Sequence, residues 1–405
     1  MNVLAAILGL GLLVLVHEAG HFFTARAVGM TPRRFYVGFP PPLVRVRRKG
    51  IEYGIGMIPL GGYVKIPGMH RPAPSDLDVR GVHFGAAIVE APRLRPFVDR
   101  VRERIAEGDM EGARERLPEL ETALAAAEIS GRARKAAERG LRELKDGLGA
   151  DAYWRQRAWK RVAVIFAGPG TNLLFAIMLF AALFVVGSGG YRLGFALKEN
   201  TTVVDEVRAD RPAAAMGLRP GDRIIAVNRK DVSRGEDIPP LIRSSGGRPV
   251  RLTVRRKNEV IPLGPARPHA EPELSVFAAS WESIRLTGIV TKEIGASLGG
   301  LAHGEGRKNV ASPVGIVEGS SNALDEGLET FLWVLGLLSL SLALLNLLPL
   351  LPLDGGHIVF SIVEGIRGRA VGREVYERVS AVGIALVLLL FFIGLSNDVS
   401  RLGAD

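Results

Sequence analysis

Residues 14–23, VLVHEAGHFF, set two histidines and a glutamate inside an otherwise apolar run. On a helix, residues four apart share a face, so His17 and His21 can hold one metal ion between them. Glu18 lies one position on, beside such a site, where its carboxylate can take a proton from water. Imidazole nitrogens bind Zn2+ at about 2.0–2.1 Å, and the ion can lower the pKa of a bound water to about 7, which makes a nucleophile at neutral pH. The alternative is a pair of histidines satisfied by hydrogen bonds between helices. An ionisable side chain at the centre of a spanning helix costs roughly 2.5–3.5 kcal/mol, which favours a functional reading.

A catalytic zinc usually takes three protein ligands and keeps one position open. The 405 residues include no cysteine, so thiolate sites, disulfides and cysteine nucleophiles are excluded and the third ligand must be His, Asp or Glu. The stretch LLNLLPLLPLDGGHIVF (344–360) supplies candidates. Asp354 reads as a ligand or as a helix cap, and His357 as a second candidate or as an interfacial histidine. Pro349 and Pro352 unwind the helix before Asp354, which a membrane tolerates only where backbone is buried in protein or lines a cavity. Gly355 and Gly356 let the chain turn closely around a ligand.

These residues need spans to hold them. The chain is 47% hydrophobic with positive mean hydropathy, and it has four long apolar runs: Leu4–Val16 continuing to about Val28, Val162–Val186, Phe331–Leu351 and Ala381–Leu395. A span takes about 17–25 mostly apolar residues, so four spans are expected. The first run has no basic flank before it and ends in HEAGH, so it reads as a span and not as a cleaved signal peptide. The net charge of +10 is best placed beside the membrane, in AYWRQRAWKR (152–161), just before the second span. Basic flanks mark the cytoplasmic side. That puts Arg161 inside, the residues after Val186 outside, and both termini outside. His17–His21 then lie about 24–30 Å along the first helix, near the cytoplasmic face.

Between the spans the composition changes. Residues 31–70 punctuate β-formers with Gly and Pro, as hairpins do. Residues 93–147 are rich in Ala, Leu, Glu and Arg at helical spacing, broken by Gly108, Pro118 and Gly131, and predict two or three amphipathic helices. The stretch VVDEVRADRPAAAMGLRPGDRIIAVNRKDV within 190–285 reads strand, short helix, turn, strand, and RPVRLTVRRKNEVIPL alternates like a half-buried hairpin. There is no internal repeat.

HEAGH together with NLLPLLPLDGG resembles the site-2 protease family of intramembrane zinc metalloproteases. AGPGTN (167–172), SPVGIV (312–317) and LGGYVKIPGM (60–69) extend the likeness. With one PDZ-like module the layout is similar to the regulator-of-sigma-E protease branch, while the insert at 75–150 departs from it. The resemblance implies a polytopic α-helical membrane protein of about four transmembrane helices, with a membrane-associated β-loop, a cytoplasmic helical insert and an extracytoplasmic PDZ-like β-rich domain. The expected divisions are a first transmembrane helix at 1–30, β-hairpins at 31–70, the insert at 71–155, a second transmembrane helix at 160–188 and the PDZ-like domain at 190–285. A linker with an amphipathic segment follows at 286–327, then transmembrane helices at 328–356 and 376–397.

By the same resemblance His17, His21 and Asp354 bind Zn2+ and Glu18 is the catalytic base. Asn172 and Asn346 contact substrate or the oxyanion, or else make ordinary interhelical hydrogen bonds. The strands at 51–66 pair with substrate, and the PDZ-like module either filters substrates or shapes the outer vestibule. Implied substrates are single-span proteins of the anti-sigma factor or remnant signal peptide type, in a bacterial inner membrane. The lipid bilayer is the other partner, with no nucleic acid, and nothing in the sequence sets an oligomeric state. An ion-translocating protein is the first rival, disfavoured by the absence of a repeated half. An inactive PDZ-bearing scaffold is the second, disfavoured by Glu18.

Overall fold

The structure, a computed structural model, describes residues 2–78, 83–187, 190–198, 201–271, 274–303, 306–307 and 310–402. Helix α1 (Asn2–Ala27) leads to strands β1 (Arg34–Arg48) and β2 (Ile51–Lys65). Five helices follow: α2 (Gly85–Glu90), α3 (Arg95–Ala106), α4 (Met110–Glu115), α5 (Leu117–Ala125) and α6 (Gly131–Leu148). After α7 (Ala158–Gly187) the chain turns to β3 (Gly190–Arg192), β4 (Phe195–Leu197), β5 (Val204–Val207), α8 (Pro212–Ala215), β6 (Arg223–Val227), β7 (Lys230–Asp231), α9 (Ile238–Arg243), β8 (Val250–Arg256), β9 (Glu259–Ala266) and β10 (His269–Glu271). It ends with α10 (Val276–Ala302), α11 (Pro313–Glu326), α12 (Leu328–Asn346), α13 (Asp354–Arg367) and α14 (Arg373–Leu402).

Contacts divide the chain into two units, residues 1–176 with 287–405, and residues 177–286. Among the described residues four helices are long and apolar enough to cross a membrane: Asn2–Ala27, Ala158–Val186, Leu328–Asn346 and Val375–Ser400. Their outward residues are apolar, as Leu4, Leu8, Met178, Leu389 and Phe392 illustrate, which suits a lipid solvent and not water. The chain is a polytopic membrane protein.

Two expectations change. The third apolar helix stops at Asn346, not in the LDGG motif, and Asp354 opens α13 instead of ending a span. Pro349 and Pro352 have no N–H to continue the ladder, and residues 347–353 close short turns instead, such as Leu350 N–H to Leu348 O at 2.7 Å and Leu353 N–H to Leu350 O at 2.8 Å. In the insert, Gly108 does break the helix, with φ at +81°. Pro118 and Gly131 instead stand in the first turns of α5 and α6, where a missing N–H costs nothing and the Ser130 hydroxyl caps α6 by accepting from Ala133 N–H at 3.2 Å. The insert therefore holds more and shorter helices, closed over a core that includes Leu94, Val101, Leu120 and Leu141.

β1 and β2 meet at Lys49–Gly50, both at positive φ (48° and 80°), as the tightest hairpin turn requires. Each strand then bends back. Residues 44–48 pair with 51–55, 51–55 lie beside 34–37, and 34–37 pair with 62–65, which forms an outer member of the sheet. Ion pairs tie the insert to this sheet: Arg33 to Asp146 at 2.8 Å and to Asp151 at 2.9 Å, and Lys65 to Asp146 at 3.1 Å. The start of α7 is fastened to α13 by the part-buried Arg161–Glu364 ion pair, and the turn just before α7 by the Tyr153 hydroxyl, 2.9 Å from Ser361 Oγ.

The second unit is a β structure with the sheet order β7-β6-β8-β9 and two further pairs, β3 with β10 and β4 with β5. Ile224, Leu252, Val254 and Ile238 fill its core. At its edge the buried Asp222 carboxylate takes two 2.7 Å bonds from the Arg256 guanidinium and one of 2.9 Å from Arg219 N–H. Burial alone would raise the Asp222 carboxyl, but Arg256 and the Arg219 amide outweigh it and hold the group below the usual carboxylate range. A carboxyl depressed in the folded state stabilises above its unfolded value near ~3.9 and loses that contribution as pH falls through the lower folded value. Protection of the β8 amides in the whole protein, taken relative to the intrinsic exchange rate at each pH, is therefore expected to fall between pH 6 and pH 3. In Asp222→Asn that acid-dependent loss of protection should disappear, while protection at pH 6 is already lower than in the parent.

Candidate metal centre and active site

Along α1 the buried residues are Ala6, Leu13, His17, Glu18, Gly20, His21, Phe22 and Ala25, one face of a helix otherwise turned to lipid. α7 crosses that face. A side chain at Gly20 would meet the Ala167 carbonyl and the Thr171 hydroxyl, and one at Gly168 would meet the rings of His21 and His17. Small residues on both helices thus permit the backbone approach that membrane helices use for packing. Thr171 Oγ1 lies 3.0 Å from the Val16 carbonyl and 2.8 Å from that of Gly168.

The close crossing brings the Val164 carbonyl 2.8 Å from His21 Nδ1. A carbonyl can only accept, so Nδ1 carries the proton and Nε2 presents its lone pair inward. His17 Nε2 lies 3.2 Å from His21 Nε2, and Asp354 Oδ2 lies 3.2 Å from the first and 3.3 Å from the second. His17, His21 and Asp354 thus form a group able to hold a metal ion. Ligands on a tetrahedral ion at about 2.0–2.1 Å are separated by about 3.3–3.4 Å, so these three atoms match one face of such a tetrahedron. Asp354 Oδ2 is buried with no hydrogen-bond partner, a costly arrangement that a cation at the centre of the triangle relieves. The residues present fit a tetrahedral dication.

Asp354 reaches the histidines because α13 starts inside the bundle. Gly355 and Gly356 pack so closely on the backbone of Leu347, Leu348, Leu350 and Leu351 that any side chain there would overlap it. His357 does not join the group: the Tyr376 hydroxyl engages it at 2.6 Å from Nδ1. Glu18 is also buried, and its carboxylate accepts the Val64 N–H of the outer sheet segment. Gly62 leaves room for it, since a Cβ there would stand 2.9 Å from Glu18 Cγ.

Asn172 is completely buried. It follows Gly168 by one turn on the same face of α7, and its carbonyl accepts from the Ser339 hydroxyl of α12 at 2.8 Å. Both atoms of its side-chain amide lack a hydrogen-bond partner within the chain, so the ordinary interhelical bond is not what holds it there. Asn346 ends α12, half-buried, and is separated from Asp354 by the residue 347–353 turns. Sequence reasoning missed Gly168, the Val164 carbonyl and the Val64 amide. The signal for Gly168 was present in the small residues of AGPGTN facing those of HEAGH; backbone groups leave no sequence signal.

A model of peptidase family M50 matches residues 5–390, and the chain belongs to that family. This is the site-2 protease family of intramembrane metalloproteases, the class that the apolar spans and buried ligand group describe. The chain is similar to the protein called "Probable protease eep" of Enterococcus faecalis, 26% identical with 99% of each chain covered. It is also similar to "Putative zinc metalloprotease Atu1380" of Agrobacterium fabrum, at 29% with 98% and 95% covered, and to "Zinc metalloprotease RasP" of Geobacillus kaustophilus, at 27% with 99% and 98% covered.

Because a Cβ on residue 168 would enter the imidazole pair, Gly168→Val is expected to weaken metal binding by about 10–100-fold, the cost typical of disturbing the support of a ligand. Metal per chain after dialysis measures it, with helix content by circular dichroism remaining that of the parent.

Proposed function

We propose that the chain is a zinc endopeptidase that cuts the transmembrane segments of single-span proteins, with His17, His21 and Asp354 as metal ligands and Glu18 as the catalytic base. The observation that carries this reading is the triangle of His17 Nε2, His21 Nε2 and Asp354 Oδ2, with edges of 3.2–3.3 Å, beside a buried glutamate. The relatives named zinc metalloproteases support zinc as the ion. When bound, zinc supplies Lewis acidity that polarises the scissile carbonyl and acidifies water.

The chain's own groups do the rest. Val164 fixes the His21 tautomer, and Val64 N–H and Gly62 hold Glu18 where its carboxylate can take the proton of the attacking water and later deliver it to the leaving amine. The Asn172 amide, buried and unpaired, offers its N–H to the developing oxyanion, a role in which a pre-placed donor is most effective. Asn346 is assigned a substrate contact at the end of α12. The outer segment 62–65 adds a substrate strand, which unwinds a helical substrate and presents its amide bond.

The basic run before α7 supports a cytoplasmic site for the insert and an outer site for the β unit, read as a PDZ-like filter, in a bacterial inner membrane. Anti-sigma factors and remnant signal peptides are the substrate types assigned.

Glu18→Gln should lower cleavage of a tagged single-span substrate by about 10²–10⁴-fold while retaining zinc. Asp354→Ala should lose zinc and activity together. Asn172→Ala should keep zinc and lose about 10²–10³-fold in rate. Undiminished cleavage by zinc-loaded Glu18→Gln, measured in membranes, would remove Glu18 as the base.

A further inference from the structure

A cavity of about 900 Å³ lies in the unit that holds the ligand triangle, away from the ligands themselves. One wall is made by four consecutive residues at the end of β2, Tyr63–Ile66, and the other by α6 of the helical insert, through Gly140, Glu143, Leu144 and Gly147. The volume is at the upper end of the roughly 300–1,000 Å³ usual for ligand sites.

Three observations say what fits. The first is continuity. Val64 lines the cavity and also donates its N–H to Glu18, so a single strand borders both the base and the cavity. This segment is an outer member of its sheet, with 34–37 as its strand partner among the described residues, and an outer strand is a template for an extended chain. The second is charge. Four carboxylates line the cavity against Lys65, Arg71 and two histidines, and the pairs among them include Lys65 with Asp146 at 3.1 Å and His83 with Glu143 at 3.1 Å. Such a lining has no surplus positive charge for a phosphate or nucleotide but suits the amides and polar side chains of a peptide. The third is rigidity. Asp146 of α6 is bonded to both Arg33 and Lys65, so the far wall is fixed to the strand and cannot swing away from it.

We propose that this cavity receives the extended polar flank of the substrate on the cytoplasmic side of its span, with α6 of the insert as the far wall of the subsite. The inference rests on the peptidase reading above. A chain paired with 62–65 and cut beside Glu18 continues past Lys65 and Ile66 directly into it. The insert thereby reads residues that lie outside the membrane, and it selects among substrates whose spans alone are indistinguishable to an apolar site.

The absence of cysteine from the chain makes the test direct. Glu143→Cys and Ser75→Cys, both at residues that line the cavity, are each placed in the Glu18→Gln background. Glu119→Cys, on α5 outside the cavity, is the control. Each is oxidised in membranes with a remnant signal peptide carrying a cytoplasmic tag and one cysteine, walked through the polar flank. Disulfides from position 143 or 75 to flank cysteines, at least tenfold above position 119 and absent for cysteines on the outer side of the span, are expected. If the parent chain cleaves this substrate and Glu18→Gln does not, yet neither position exceeds the control, the docking inference falls and the peptidase reading stands. If the zinc-loaded parent cleaves none of a panel of single-span substrates, both fall together.

Discussion

One hydrogen bond governs the membrane part of this molecule: the proton on His21 Nδ1 held by the Val164 carbonyl at 2.8 Å. In a low-dielectric interior an imidazole left to itself would take either tautomer and turn to find a partner. The bond removes that freedom and aims Nε2 at His17 and Asp354. It requires α1 and α7 to approach until only glycine fits at positions 20 and 168. Dispersion between small residues and the satisfaction of one polar group thus bring about the same geometry. Lipid provides no hydrophobic drive for helices to associate, so such contacts must hold the bundle together.

From that crossing the other parts follow in order. Asp354 can complete the triangle because α13 begins in the bundle, and α13 is held at its far end by the Arg161–Glu364 pair, with Val371 N–H donating to the second Glu364 oxygen at 2.8 Å. The folded-back sheet places its outer segment along α1, where Gly62 and Val64 lie against the Glu18 side chain. The insert, through Asp146 and Asp151, braces that sheet from the water side. Ion pairs half open to solvent contribute little each, but three converging on Arg33 and Lys65 fix an orientation that no single one would.

Much of this was legible in the residues. His17, His21 and Asp354 stood out because ionisable groups are costly in lipid, and the structure gathers their side chains within 3.3 Å; the four spans stood out because length and apolarity are sufficient signals. Spacing alone did not separate Asp354 from His357; in the structure Asp354 joins the two histidines, while the hydroxyl of Tyr376, nineteen residues on, engages His357. The end of the third span was placed too late because Leu347–Leu351 is as apolar as the helix before it, and only the two prolines reveal that it is turn. Pro118 and Gly131 do mark breaks in the helical run, each by standing in the first turn of the next helix and not by closing the one before. The unpaired amide of Asn172 was beyond sequence, since satisfaction of a polar group depends on what packs around it.

The turns at 347–353 leave backbone outside any helical ladder, and in apolar surroundings such backbone needs cover. α14 provides it: Gly383 packs onto Leu351 so closely that no side chain could be added. Most of α14 otherwise presents apolar side chains outward, where Leu, Ile, Val and Phe are nearly interchangeable. Its tolerance of substitution is therefore very uneven. Long stretches are free to drift, punctuated by a glycine that acts as the lid of the site's only irregular backbone among the described residues. A helix that reads as generic membrane anchor is, at one residue, part of the roof over the turns that lead into the ligand group.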